Sequence, residues 1–316
     1  MKAVRIHEFG QIPTIDDVPV PEIASGEVLV RVITASLNPL DALVVSGNAR
    51  QFFTTAFPYT VGTDLCGIVE KLGPGVSDFQ VGDAVIGWLD ASLGGAMAEF
   101  AVVPVRVCTR LPASISPTEG AGIPIAGSTA WHALFSVAVL KPEETILIHA
   151  GAGGVGSFAV QFANKAGARV IATASGDGIA LVRDLGADRV IDRHAEDFSA
   201  IGEHCDVVLD LVGGDTQARS YAVLAPGGRL VSTVMPPDQH KANLSAVTAS
   251  IIYAKAYEDR LGEVVDVIAK QNIRTVVDVD VPLASFGEAW AAQAGGRARG
   301  KVIVRIGGYA KSTFVL

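Results

Sequence analysis

The chain has 316 residues, 49% of them hydrophobic and 18% charged, with a formal net charge of −8 at pH 7. That length suggests about two domains, with ample apolar material for their cores. The acidic balance argues against a nucleic-acid partner, because phosphate backbones attract basic patches, and no run of about 18 apolar residues offers a membrane span. The opening residues, Met1-Lys-Ala-Val-Arg-Ile-His-Glu, do not resemble a signal peptide. Cys66, Cys108 and Cys205 stand far apart with no CxxC pair. Neither a disulfide framework nor a cysteine-rich zinc site is supported, and the three read as reduced thiols of a cytoplasmic protein.

The N-terminal part is β-rich. Strand-like runs occur at 28–33, 67–72, 82–87 and 98–103, with Gly73-Pro-Gly75 as a turn. Short strands at this spacing suggest a small barrel-like domain. The pattern changes at Ser116-Pro-Thr-Glu119, which has the form of a helix start: Ser116 as N-cap, Pro117 at the first helical position and Glu119 closing a capping box. Beyond it, strands expected at 145–150, 169–174, 189–192, 206–211 and 228–234 alternate with helices at 155–167, 177–186 and 215–224. That alternation predicts a parallel, doubly wound α/β sheet. Gly227-Gly228 marks a turn into the fifth strand. The β-prone run 247–253 is expected at a sheet edge, where an apolar strand invites pairing, so a homodimer across it is predicted. A helix at 258–270, strands at 276–281 and 301–306 and a helix at 286–294 complete the chain, a tail that returns to the first domain.

One segment carries most of the chemistry. An apolar run at 146–148 is followed at once by Gly151, Gly153 and Gly156 at G-x-G-x-x-G spacing, then by an apolar helical stretch. Strand, glycine turn and helix together form a dinucleotide-binding context. Gly151 makes the tight turn, Gly153 lets the backbone approach a pyrophosphate, and Gly156 lets helix and strand pack closely. Gly154, Val155 and Gly156 open the helix, whose free N–H groups and dipole face the phosphates.

Four segments resemble the zinc-free quinone oxidoreductase, zeta-crystallin-like branch of the medium-chain dehydrogenase/reductase superfamily. They are Ser36-Leu-Asn38-Pro39-Leu-Asp41; Phe57-Pro-Tyr59-Thr-Val-Gly62-Thr-Asp64-Leu-Cys-Gly67; Ala130-Trp-His-Ala-Leu with Ala150-Gly-Ala-Gly-Gly-Val-Gly156; and Gly300-Lys301-Val-Ile-Val. The resemblance implies an α/β chain with a GroES-like β-rich catalytic domain at 1–119 and 257–316 and a Rossmann doubly wound parallel sheet domain at 120–256. In zinc-dependent relatives a Cys lies near the position of Asn38 and a Gly-His-Glu near Gly62-Thr63-Asp64. Here the Cys and His are absent, so the resemblance implies chemistry without zinc.

The coenzyme follows from the end of the second strand, about 20 residues past the glycines, where an acid would select NAD. The strand runs instead into Ser175, which can donate to a 2′-phosphate. Arg193 stands where relatives often carry a Tyr, and it is either a bidentate phosphate contact or a solvated loop charge. Asp177 is either a helix N-cap or a selecting carboxylate. NADPH is the expected cofactor. Thr129 matches a phosphate-facing position, and Val212 and Ser232 sit at carboxyl ends of strands, where ligands bind in open α/β sheets.

The resemblance implies hydride transfer from NADPH to a quinone or to the β-carbon of an α,β-unsaturated carbonyl. Two other readings stay open: an NADPH-binding redox sensor or structural protein with little turnover, and an enoyl-thioester reductase. Asn38 is the first candidate for an orienting residue, its alternative being a turn residue before Pro39. Tyr59 either offers its O–H to a developing enolate oxygen or packs as an aromatic. Asp41 belongs to the same pocket or anchors its loop. Trp88, Leu89, Leu93 and Met97, around Gly94-Gly95, either line an apolar substrate pocket or pack the loop. Lys301 either approaches the cofactor or is a surface charge, the second being the expected place, and His149 and His132 are expected as packed core histidines.

Overall fold

The computed structural model describes residues 1–253, 259–296 and 298–307. Contacts divide the chain into two compact units, one of 1–125, 258–270 and 275–316 and the other of 126–257 and 271–274. The first crossing lies six residues beyond the expected 119/120 boundary.

The first unit begins with strands β1 (Lys2–Ile6), β2 (Thr14–Asp17), β3 (Glu27–Leu37), β4 (Tyr59–Thr60), β5 (Asp64–Leu72), β6 (Ala84–Trp88), β7 (Phe100–Pro104) and β8 (Cys108–Arg110). Its early helices are α1 (Pro39–Val45) and α2 (Pro117–Ala121), and helix α3 (Pro124–His132) carries the chain into the second unit. The capping box expected at Ser116 is present: Glu119 N–H donates to Ser116 Oγ, and Ser116 N–H donates to Glu119 Oε2.

The second unit contains strands β9 (Thr145–Ile148), β10 (Arg169–Ala174), β11 (Arg189–Asp192), β12 (Cys205–Asp210), β13 (Leu224–Ser232) and β14 (Thr248–Ile251). Helices α4 (Gly154–Lys165), α5 (Gly178–Asp184), α6 (Gly214–Ser220) and α7 (Gln239–Leu244) lie between them. The order across the sheet is β11-β10-β9-β12-β13-β14, all parallel. Numbered from β9 this is 3-2-1-4-5-6, the doubly wound arrangement whose strand order reverses between the first and fourth strands. β14 stands at one edge, as expected for 247–253. β13 begins at Leu224, four residues earlier than expected, so Gly227 lies inside the strand rather than before it.

The chain then returns through α8 (Leu261–Gln271), β15 (Val277–Pro282), α9 (Phe286–Ala294) and β16 (Lys301–Arg305). The helix expected from Glu258 starts at Leu261, and Glu258 lies outside the described residues. In the first unit β16 pairs antiparallel with the end of β3, and the larger sheet runs β15-β16-β3-β5-β6-β8, with β7 also on β3. β3 is buried along nearly its whole length. This pairing brings the start of β16, the end of β3 and the head of β5 together. Within the second unit the short return at 271–274 is clasped by Gln161, which donates to Arg274 O and accepts from Arg274 N–H, each at 3.0 Å. Among the described residues no helix is long and apolar enough to cross a membrane.

Candidate active site

The glycine turn leaves β9 at the point where the strand order reverses. Ala150 adopts φ +50°, a left-handed conformation that costs energy for a residue with a side chain. Thr173 on β10 holds it there: Ala150 N–H donates to Thr173 Oγ1 at 3.1 Å, and Gly151 N–H to Thr173 O at 2.9 Å. A Cβ added to Gly156 would stand 2.2 Å from Ala150 O, so only glycine permits this approach of helix to turn. Gly153 is the extended N-cap of α4, and Gly154, Val155 and Gly156 begin the helix. Their N–H groups lack intrahelical acceptors and stand half-exposed beside the turn, apart from the buried Gly156. The geometry is a cradle for a diphosphate.

His149 is the packed histidine expected. Its Nε2 lies 3.0 Å from Ser220 Oγ, which itself donates to Thr216 O, so Nε2–H is the donor of that pair. Burial pushes its pKa down to about 4, and the imidazole is neutral.

Asp210, at the end of β12, was not singled out by sequence reasoning. Its Oδ1 accepts the N–H groups of Val212 at 3.0 Å and Gly213 at 2.8 Å, and its Oδ2 accepts from Gln217 Nε2 and Ser232 Oγ, each at 2.9 Å. One buried carboxylate thus fixes the turn after β12. Val212 is exposed at that turn, as a ligand-facing residue must be. Ser232 is fully buried, and its hydroxyl is taken by Asp210. Its place is therefore behind the strand-end surface, which corrects its assignment as a direct coenzyme contact.

β10 and β11 run side by side with Ala174 opposite Asp192. Ser175 and Arg193 are therefore neighbours just past the two strand ends, with Arg193 exposed. Asp177 occupies the N-cap place of α5 without a side-chain capping hydrogen bond. Thr129 is buried on α3.

The first unit holds a polar cluster in its interior. Asn38, Asp41, Thr63, Asp64 and Lys301 are each 3% exposed or less. Lys301 is thus no surface charge: β16 carries it against the end of β3, where its ammonium donates to Asn38 Oδ1 and, at 3.3 Å, to Leu37 O, and lies 3.7 Å from Asp64 Oδ2. Asn38 Nδ2 donates to Asp64 Oδ2 at 3.0 Å and reaches Thr63 Oγ1 at 3.5 Å. Both ends of the Asn38 amide are engaged within the protein, so its role is to tie the cluster together. Asp41 Oδ2 accepts the Asn38 N–H at 2.7 Å and closes the first turn of α1. Burial pushes Asp41 up to about 7 and raises Asp64, whose hydrogen bonds and Lys301 pull it back toward ionisation. Burial likewise lowers Lys301, against the pull of Asp64 and Asp41. Among the described residues no group of three or more His, Cys, Asp or Glu side chains is arranged to hold a metal ion.

Tyr59 is buried, and its hydroxyl donates to Ala91 O at 2.9 Å. Desolvation raises its pKa beyond the ordinary phenol range. The phenol anchors the loop before Gly94, whose Cβ would meet Thr60 O at 2.1 Å, and is not placed to release a proton. Trp88, Leu89 and Leu93 line a cavity of about 270 Å³ in this unit, together with Phe100 and Arg106. Met97 is fully buried core and does not line it, and neither does Asp41. Two of the five expected pocket residues are therefore corrected, because the folds of β3–α1 and of the 95–98 segment turn them inward.

Residues 24–113 match the family described as alcohol dehydrogenase GroES-like domain, and residues 185–304 match zinc-binding dehydrogenase. The chloroplast envelope quinone oxidoreductase homolog of Arabidopsis thaliana is 33% identical over 302 residues, covering 91% of this chain and 92% of its own. The quinone oxidoreductase of Coxiella burnetii superposes with a TM-score of 0.88 at 29% identity, covering 97% of this chain and 99% of that one. A mycobacterial structure complexed with NADPH superposes with a TM-score of 0.87 at 29% identity, covering 97% and 100%.

Proposed function

The chain belongs to the zinc-free quinone oxidoreductase branch of the medium-chain dehydrogenase/reductase superfamily, and from that premise we propose that it is an NADPH-dependent oxidoreductase whose acceptor is a quinone or an α,β-unsaturated carbonyl, working without zinc. The observation that carries the reading is the glycine turn at the reversal of a 3-2-1-4-5-6 sheet. The residues fit the coenzyme, since the turn is closed to any side chain at Gly156, where a Cβ would stand 2.2 Å from Ala150 O, and the half-exposed Gly153 and Gly154 open α4 beside it. The names of the relatives and the NADPH in the mycobacterial neighbour support the same choice.

Bound there, NADPH supplies a hydride. The work of this chain is binding and orientation. The first N–H groups of α4 take the diphosphate, Ser175 and Arg193 take the 2′-phosphate, and Asp210 holds the Val212 turn in place. Trp88, Leu89 and Leu93 give the acceptor an apolar wall. We propose further that β14, with its outer edge unpaired among the described residues, joins two copies of the chain.

The test is the loss of NADPH absorbance with a panel of quinones, alkenals and cyclic enones. Turnover with at least one class is expected, in enzyme free of zinc by metal analysis. NADPH binding without oxidation across the panel would favour the sensor reading, and activity that tracks bound zinc would contradict the proposal.

A further inference from the structure

Trp88 is the last residue of β6, opposite Asp64 of β5, and the N–H of Leu89 just after it donates to Thr63 O at 2.8 Å. The backbone on both sides of Trp88 is therefore fixed. Its side chain lines the cavity of the first unit and is 8% exposed. The indole has a single polar group, the Nε1–H donor, and Nε1 is buried with no partner. Arg5, Asp41, Asp64 and Arg229 also contain a buried nitrogen or oxygen without a partner. Each of these four makes a hydrogen bond through another of its atoms, and none lines the cavity. The carboxylates of the cavity wall are engaged: Glu27 accepts the Ala24 N–H and Asp90 the Ser92 N–H, each at 2.8 Å. A buried donor without an acceptor is unfavourable, and native proteins seldom keep one unless something bound completes it.

We infer that Trp88 is a specificity-determining residue for the acceptor, its Nε1–H donating a hydrogen bond to the carbonyl oxygen of the molecule seated in the cavity. This rests on the reductase reading above. The indole contributes direction as well as attraction, because it donates along one N–H and accepts nothing. A site built around such a bond rejects molecules of the same shape that lack the oxygen. The volume of about 270 Å³ falls at the small end of ligand pockets, which run from roughly 300 to 1,000 Å³. The acceptor that fits is therefore a carbonyl compound of one or two rings, and the carrier-bound chain of an enoyl thioester does not. Nothing is transferred from Trp88, whose part is recognition.

The test uses the full chain and tetramethyl-1,4-benzoquinone, whose fully substituted ring does not alkylate thiols. The chain has three tryptophans, so a nitrogen-15 spectrum holds three indole N–H resonances, and the one missing from Trp88→Phe belongs to Trp88. Should that variant fail to fold, Trp88→Tyr assigns the resonance in its place. With no coenzyme present, the quinone should move the Trp88 resonance downfield in a saturable way, while those of Trp131 and Trp290 stay in place. In turnover with NADPH, Trp88→Phe should raise the KM for the quinone about tenfold, with kcat within about threefold and the Kd for NADPH within twofold. A rise in KM without loss of kcat is the mark of lost substrate binding. A Trp88 resonance that does not move at quinone concentrations that saturate turnover overturns the inference and leaves the reductase reading intact. So does a KM in a folded Trp88→Phe within twofold of wild type. No turnover by the wild type with any acceptor defeats the reductase reading, and the indole shift still decides whether Trp88 binds the quinone.

Discussion

Lys301 and Asn38, 263 positions apart in sequence, meet inside the first unit, ammonium to amide oxygen. The contact turns the Asn38 amide so that its nitrogen faces Asp64, and it sets a positive charge beside that carboxylate. Lys301→Met leaves Asp64 buried and uncompensated, which costs about 3–5 kcal/mol of stability. The double change Lys301→Met with Asp64→Asn removes both charges and should recover at least half of the loss. Urea titrations of the three proteins measure this. A double variant no more stable than Lys301→Met would show that the two groups do not act as a pair.

Tyr59 serves as a strut. Tyr59→Phe removes one hydrogen bond to Ala91 O and should cost about 1 kcal/mol, lowering Tm by a few degrees. The kcat should remain within about twofold, since the O–H is not the proton source. Steady-state kinetics of the purified variant checks this, and a drop of ten-fold or more would restore the phenol as a donor.

The pair Ser175 and Arg193 should decide the coenzyme. Arg193→Glu places a carboxylate beside the position assigned to the 2′-phosphate and should raise the KM for NADPH at least ten-fold. The KM for NADH should change little. Ser175→Asp should act in the same direction and add an acceptor for a ribose hydroxyl. The ratio of kcat/KM values for the two coenzymes is the readout. A wild type that prefers NADH would shift the selecting role to Asp177.

The edge strand β14 should form a dimer contact. Light scattering at micromolar concentration is expected to give twice the chain mass. Ala249→Pro, which removes an N–H on the free edge, opposite the side on which Ile252 N–H bonds Ser232 O, should shift the mass toward that of one chain. A stable wild-type monomer would remove the contact from the account.

Much of the local structure of both units was legible in the chain. β10, β11 and α9 match their expected limits, and the glycine turn and the Ser116 capping box are where the residues place them. These features rest on local periodicity and on residues a few positions apart. The polar cluster was less legible for the opposite reason. Nothing near Lys301 in sequence reveals that β16 will pair with the end of β3 and carry a lysine inward. Asn38-Pro39-Leu-Asp41 has the composition of a turn, and only the fold shows it as the start of α1 with a buried carboxyl. Ser232 was misplaced because strand alternation cannot tell which face will be covered, and Met97 because the irregular segment before β7 has no period to read. Asp210 had a usable signal, an acid ending a strand just before Val212-Gly213-Gly214, where a carboxylate can collect the N–H groups of a turn.

A dinucleotide lying over the turn from Ala150 to Gly156 underlies every role assigned above. Titrating NADPH fluorescence against the wild type and Gly156→Val tests it directly. A side chain at Gly156 cannot avoid Ala150 O, 2.2 Å from its Cβ. Saturable binding by the wild type, weakened at least a hundred-fold in a variant that keeps its far-UV circular dichroism, is the predicted result. Equal binding by the two proteins would contradict it.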